Sequence, residues 1–182
     1  MRWMLSTALL FCALVLGATS QFVTAESHVS QDAPRLIFPS HLTTIDGNHL
    51  DLGALTRNAT VVVVTLKAHW CPVCHNQLRR IKKNQDALSQ CGVTFVVLAP
   101  GPREELAKLR DASGFDFPFV EDVGLSIASS LGLRLSADEI APAILMLNRD
   151  LSVGWVQQGR NASYYGDREL MKEIACWNKI PI

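Results

Sequence analysis

The chain has 182 residues, 48% hydrophobic and 19% charged, and its 17 Lys and Arg balance its 17 Asp and Glu to a formal net charge of zero. That length supports one domain with its own core. The balanced charge argues against a nucleic-acid binder or a polybasic membrane-surface protein, and the apolar content argues against general disorder.

The first residues read as a targeting segment. Met1-Arg2-Trp3 carries one positive charge, Met4 to Ala18 is apolar or small throughout, and Val23-Thr24-Ala25 fits a signal-peptidase site. This pattern predicts a signal peptide over 1–25, with cleavage before Glu26. The apolar run falls short of the ~20 residues of a membrane span, and the later apolar runs Val61–Leu66 and Ala143–Leu147 are shorter still. The expectation is therefore export through the secretory pathway (extracellular, ER lumen or bacterial periplasm), with no membrane span left after cleavage. Cleavage also removes Cys12 and leaves Cys71, Cys74, Cys91 and Cys176, an even number in an oxidising compartment. Asn58-Ala59-Thr60 and Asn161-Ala162-Ser163 are N-glycosylation sequons, a weak signal.

Residues 26–35 are polar and read as a flexible lead-in to a domain over 36–182. Thr43–Ile45 and Asn48–Leu50 flank Asp46-Gly47, which predicts a tight hairpin, and Asp51 to Leu55 suggests one helical turn. Val61 to Leu66 is a β-branched run without alternation, as in a strand buried on both faces. A helix is expected from Cys71 to Gln90, with Leu78, Ile81 and Leu88 on one stripe and Gly92 ending it. Val93–Ala99 is a second buried strand. Arg103–Ala112 is a helix whose acids lie early and whose Arg110 lies late, matching its dipole. A strand at Phe117–Glu121 and a helix at Val123–Leu131 follow. Strands at Ala143–Leu147 and Ser152–Gln157 come next, then a helix from Asp167 to Trp177 burying Leu170, Ile174 and Trp177. Buried strands alternating with amphipathic helices indicate an α/β layered fold. The closing strand–turn–strand makes the sheet mixed.

The chemistry centres on Trp70-Cys71-Pro72-Val73-Cys74, a CxxC between a buried strand and a helix. Unpaired N–H groups and the positive end of the dipole at a helix start stabilise a thiolate, which favours Cys71. Three residues on, Cys74 comes round the same face and is able to close a disulfide with it. Pro72 loses nothing in the first turn. Lys67 and His69 precede the site, either adding positive potential or simply solvated. Other readings compete. Zinc would need a second close pair, and Cys91 and Cys176 are isolated. Cys71 to His75 matches the CxxCH of haem attachment, but the preceding strand does not fit a helical cytochrome. In that case His75 is an ordinary exposed helix residue. A static disulfide over so small a loop stabilises little. The redox reading accounts for most, and it needs no metal or organic cofactor.

Strand–WCxxC–helix, a later strand–helix, and Ala141-Pro142-Ala143 opening a strand together resemble the thioredoxin fold. The Asp46-Gly47 hairpin, the Phe117–Asp122 segment with Gly132 after it, and Leu147–Asp150 are similar to its redoxin branch, the AhpC/TSA and TlpA-type exported proteins. The resemblance implies a three-layer α/β/α sandwich with a mixed central sheet and an N-terminal β-hairpin. It implies Cys71 as nucleophile and Cys74 as resolving cysteine. It places Trp70, Pro72, Ala141 and Pro142 at the substrate surface, with Pro142 a cis-proline. Two departures stand out. Peroxiredoxins carry a Pro and a Thr where this chain has Val64 and Ala68, and an Arg where it has Pro142. Thioredoxins carry a buried Asp where it has Thr65, so the proton acceptor is unassigned, with Glu121 either a substitute or a plain strand-end carboxylate. In that fold Cys91 and Cys176 both reach the far edge of the sheet, as a structural disulfide or as buried free thiols. The reading is a monomeric thiol–disulfide oxidoreductase whose partners are protein or small-molecule disulfides and a dithiol reductant or oxidant. A thiol peroxidase with antioxidant activity and a redox-inactive binding module are the alternatives.

Overall fold

A computed structural model describes residues 35–159 together with Leu170 and Ile174. The expected leader, most of the lead-in, Trp177, Cys176 and the sequon at Asn161 lie outside the described residues. Among the described residues no helix is long and apolar enough to cross a membrane.

Strands β1 (His41–Thr43) and β2 (His49–Asp51) form the hairpin, displaced slightly outward from the expected strands. It docks on the domain through Ile45, whose N–H donates to the Phe119 carbonyl at 2.8 Å. Asp51 then caps α1 (Leu52–Asn58) by accepting from the Ala54 N–H at 2.9 Å, which holds its carboxyl below the usual carboxylate range. The central sheet contains β3 (Thr60–Thr65), β4 (Val93–Ala99), β5 (Phe119–Glu121), β6 (Ala143–Leu147) and β7 (Val153–Gln158), in the order β5-β4-β3-β6-β7. β3, β4 and β5 run parallel, and β6 and β7 are antiparallel additions.

The unbroken valine run of β3 follows from its central place. Val62 and Val64 face one core with Leu78, Ile81, Leu88, Phe95, Leu106, Leu170 and Ile174. Val61 and Val63 face another with Leu52, Val96, Leu98, Ala128 and Leu145. Side chains alternate across a strand, so a strand covered on both faces needs apolar residues at every position. Helices α2 (Pro72–Lys83), α3 (Gln85–Gln90) and α4 (Arg103–Ser113) contribute to the first core. α1 and α5 (Ser126–Ser130) contribute to the second, which completes the three-layer α/β/α sandwich.

Two expected helices are interrupted. The helix after Cys71 breaks at Asn84 (φ −106°, ψ 7°), whose side-chain amide donates to the Arg80 carbonyl at 3.2 Å. Asn competes in this way for helix backbone, and a periodicity count does not register it. The segment from Val123 is a short 3₁₀ turn (Val123–Leu125) followed by α5, with Leu125 left-handed at φ 57° between them. Asp122, 2% exposed, holds this join. Its carboxylate accepts from the N–H groups of Ile127 at 3.0 Å and Ala128 at 2.8 Å. Leu170 and Ile174 are buried, and the Ile174 N–H donates to the Leu170 carbonyl at 3.1 Å; the rest of the expected Asp167–Trp177 helix lies outside the described residues.

The parallel strands all end at one edge of the sheet, where β6 begins. Thr65 stitches that junction together. Its Oγ1 donates to the Ala141 carbonyl at 2.7 Å and accepts from the Ala143 N–H at 2.7 Å, with all three residues buried. Thr65→Val removes the hydroxyl that both groups use, and should lower stability by about 1–3 kcal/mol in urea unfolding with an unchanged far-UV spectrum. Phe95 packs against Phe115 and Phe117 at ring distances of 5.9 and 5.2 Å. Phe95→Ala should therefore cost about 3–5 kcal/mol in the same experiment.

Candidate active site

Cys71 is the N-cap of α2, in extended conformation at φ −73° and ψ 107°. Its Sγ takes the place of a capping oxygen and accepts from the Cys74 N–H at 3.3 Å. Pro72 opens the helix and is exposed. Its missing N–H would have had no helical partner there. Cys71 and Cys74 are joined in a disulfide with their Cα atoms 5.3 Å apart. The first turn of α2 holds no acidic residue and its last turn holds Arg80, Lys82 and Lys83, so charge placement leaves the positive end of the dipole on Cys71 unopposed. Cys71 keeps 5% exposure and Cys74 none.

The segment from Lys67 to Cys71 is held on every side. The Lys67 N–H donates to Cys74 Sγ at 3.4 Å, and its carbonyl accepts from the Ile140 N–H at 3.2 Å. The Lys67 ammonium lies 3.2 Å from Glu139 and 5.3 Å from the centre of the Trp70 ring. Trp70 itself is 52% exposed beside the disulfide. His69 Nδ1 donates to the Gly101 carbonyl at 3.3 Å, so His69 is half-buried and engaged, as Lys67 is.

His75 departs from its expected role as an ordinary exposed residue. It is half-buried, and its Nε2 donates to the His69 carbonyl at 2.6 Å. The same nitrogen would otherwise be offered to a haem iron in the CxxCH reading. A signal for this was present in the sequence. Helical Cα–Cβ bonds tilt toward the N-terminus, so a long polar side chain in the first turn folds back on the preceding loop.

The proline expectation needs correction. Among the described residues the cis peptide bond is Gly101–Pro102, and Ala141–Pro142 is trans. The backbone around Pro142 is held extended by its neighbours. The Ala141 N–H donates to Leu133 at 2.6 Å, the Ala141 carbonyl accepts from Thr65, and the Pro142 carbonyl accepts from the Gly159 N–H at 2.7 Å. Ala141 is buried and Pro142 half-buried at the sheet edge from which Cys71 emerges. Ala68 is buried, Thr65 is committed to β6, and Glu121 lies against Gly101 and 3.7 Å from Arg103. In the first turn of α4, Glu105 is held below the usual carboxylate range, chiefly by a hydrogen bond from Lys108, with His69 adding a smaller Coulombic pull. Cys91, half-buried at the end of α3, is disulfide-bonded. Among the described residues no group of three or more His, Cys, Asp or Glu side chains is placed to hold a metal.

Known proteins share this fold. A Mycobacterium tuberculosis protein named "Putative peroxiredoxin MT2597" is 31% identical over 91 residues, covering 50% of this chain and 57% of the relative. The match thus spans little more than half the relative's length. The crystal structure of Peroxidoxin BcpB from Mycobacterium tuberculosis superposes with a TM-score of 0.64 at 18% identity, over 78% of this chain and 93% of that one. A secreted Mycobacterium tuberculosis disulfide oxidoreductase homologous to Escherichia coli DsbE superposes at 0.57 with 22% identity, over 78% and 97%. The redoxin family model matches residues 28–170, and with the thioredoxin-like sheet and the cysteine pair at the start of α2, it makes this chain a member of the redoxin family.

Proposed function

We propose that the chain is an exported thiol–disulfide oxidoreductase with Cys71 as nucleophile and Cys74 as resolving cysteine. The observation that carries this reading is the Cys71–Cys74 disulfide at the start of α2, with the Cys74 N–H aimed at Cys71 Sγ and with Cys71 the less buried residue of the pair. In the reducing direction the Cys71 thiolate attacks a substrate disulfide. One substrate sulfur leaves as thiolate and a mixed disulfide forms. Cys74, as thiolate, then attacks Cys71 Sγ and expels the second substrate sulfur. Two electrons pass to the substrate, the chain is left with the Cys71–Cys74 disulfide, and a dithiol reductant reduces that bond back to the two thiols. The oxidising direction runs the same steps in reverse. The two sulfurs carry the chemistry, so the reaction calls for no metal or organic group. Trp70 and Lys67 border the approach. Export is supported by the composition of residues 1–25.

The peroxiredoxin names among the relatives favour a second reading, in which peroxide oxidises Cys71 to a sulfenic acid that Cys74 condenses with, releasing water. Against it, the buried methyl of Ala68 stands where a peroxidase has its peroxide-holding Thr, and Pro142 stands where it has its Arg.

Reduced protein should be alkylated by iodoacetamide first at Cys71, with a rate rising through a midpoint below the ~8.5 of a free cysteine. Modification of Cys74 first would reverse the assignment of nucleophile. Stopped-flow rates of the reduced protein with hydrogen peroxide and with a model disulfide separate the two activities. The disulfide should react faster, Cys71→Ser should abolish the reaction, and Cys74→Ser should accumulate the mixed disulfide. A peroxide rate far above that of free thiols would make the peroxidase reading the correct one.

A further inference from the structure

We propose that His75 is a positioning residue of the redox couple, a latch that preserves the geometry of Cys71 when the disulfide opens. The proposal rests on Cys71 and Cys74 being the redox pair.

Two bonds bracket the same loop. The disulfide joins Cys71 to Cys74, and the hydrogen bond from His75 Nε2 to the His69 carbonyl, at 2.6 Å, joins the residues just outside them. In the oxidised protein these bonds reinforce each other. After reduction the covalent one is gone. The Cys71 thiolate is stabilised by the Cys74 N–H and the helix N-terminus only while residues 69–71 stay folded over that terminus. His75 holds them from inside the helix. His69 extends the hold in the other direction, since its Nδ1 donates to Gly101 in the loop between β4 and α4. The His75 N–H donates to the Cys71 carbonyl at 3.2 Å as an ordinary backbone bond of the helix, which every variant at this position keeps, so the side-chain contact is the one tested.

The sign of the effect follows. The disulfide holds the loop closed and the contact fully formed, whereas the dithiol loop is free to open, so the contact stabilises the disulfide form more than the dithiol form and makes the couple more reducing. Removing the Nε2 donor should make the couple more oxidising.

The test measures the Cys71/Cys74 equilibrium against glutathione at fixed pH for the full-length protein and three variants. His75→Phe keeps a ring and removes the donor, His75→Leu removes both, and His75→Gln restores an N–H donor of similar reach. His75→Phe and His75→Leu should shift the equilibrium constant toward the dithiol by about fivefold, or about 20 mV, the scale of one ordinary hydrogen bond. His75→Gln should stay within about twofold of the parent. If His75→Phe does not fold, His75→Leu carries the comparison. A donor-less variant at the parent potential overturns the proposal. So does a His75→Gln protein displaced as far as the donor-less ones, which would assign the effect to ring packing. The potential belongs to the cysteine pair whether it meets disulfides or peroxide, so this proposal and the choice between those activities fail separately.

Discussion

The candidate site depends on β3 being buried on both faces and ending in a loop whose polar groups are paired within the fold. A strand covered on both sides is a rigid support. Its last residue, Thr65, has its one hydroxyl proton committed to the Ala141 carbonyl, in the contact that joins β3 to β6. Beyond it, Lys67 joins the Cys74 sulfur to the segment that leads into β6, and His69 joins the loop to the turn after β4. The cysteines are thus held from three neighbouring elements, and α2 starts where those restraints place it.

Helix electrostatics then act on a fixed sulfur. A capping position is normally filled by an oxygen that accepts N–H groups of the first turn. Here Cys71 Sγ fills it, so the groups that cap the helix are the groups that stabilise a thiolate. Structure and reactivity share one interaction, which is why Cys71 rather than Cys74 carries the positive end of the dipole. Cys74, fully buried and with its sulfur receiving the Lys67 N–H, is shielded from solvent and reaches its partner from within the helix.

Redoxins include both peroxidases and disulfide exchangers, and one scaffold serves both because the nucleophile sits at the same strand–helix junction. What separates them is the surroundings of that sulfur. Around Cys71 the chain supplies a methyl at Ala68, a proline at 142 with its backbone already paired, and an exposed indole at Trp70. These are the features on which the proposed choice of a disulfide over a peroxide substrate rests. The Lys67–Glu139 pair beside Trp70 adds a charged border to the approach.

Much of this was legible in the residues. Valine repetition marked β3 and β4, whose bounds agree with expectation within a residue. The CxxC after a strand located the disulfide, and Leu170 and Ile174 were identifiable as core positions. These features are local, set by side-chain alternation, helical spacing and chain separation, and a sequence displays them directly. Other features came only with the tertiary structure. The helix break at Asn84 and the Asp122 cap of α5 arise from side chains competing for backbone groups, at Asp122 five and six residues away. The trans bond before Pro142 sits in backbone fixed by Thr65, Leu133 and Gly159, none adjacent to it in sequence. His75 was different: it read as a surface residue because periodicity reports which face of a helix a residue occupies, while the backward tilt of helical Cα–Cβ bonds, which was available in the sequence, points a first-turn side chain toward the preceding loop. The sequence determined where the sulfurs lie and what strand supports them. Only the folded chain decided which groups hold them, because those bonds join segments that come together when the sheet closes.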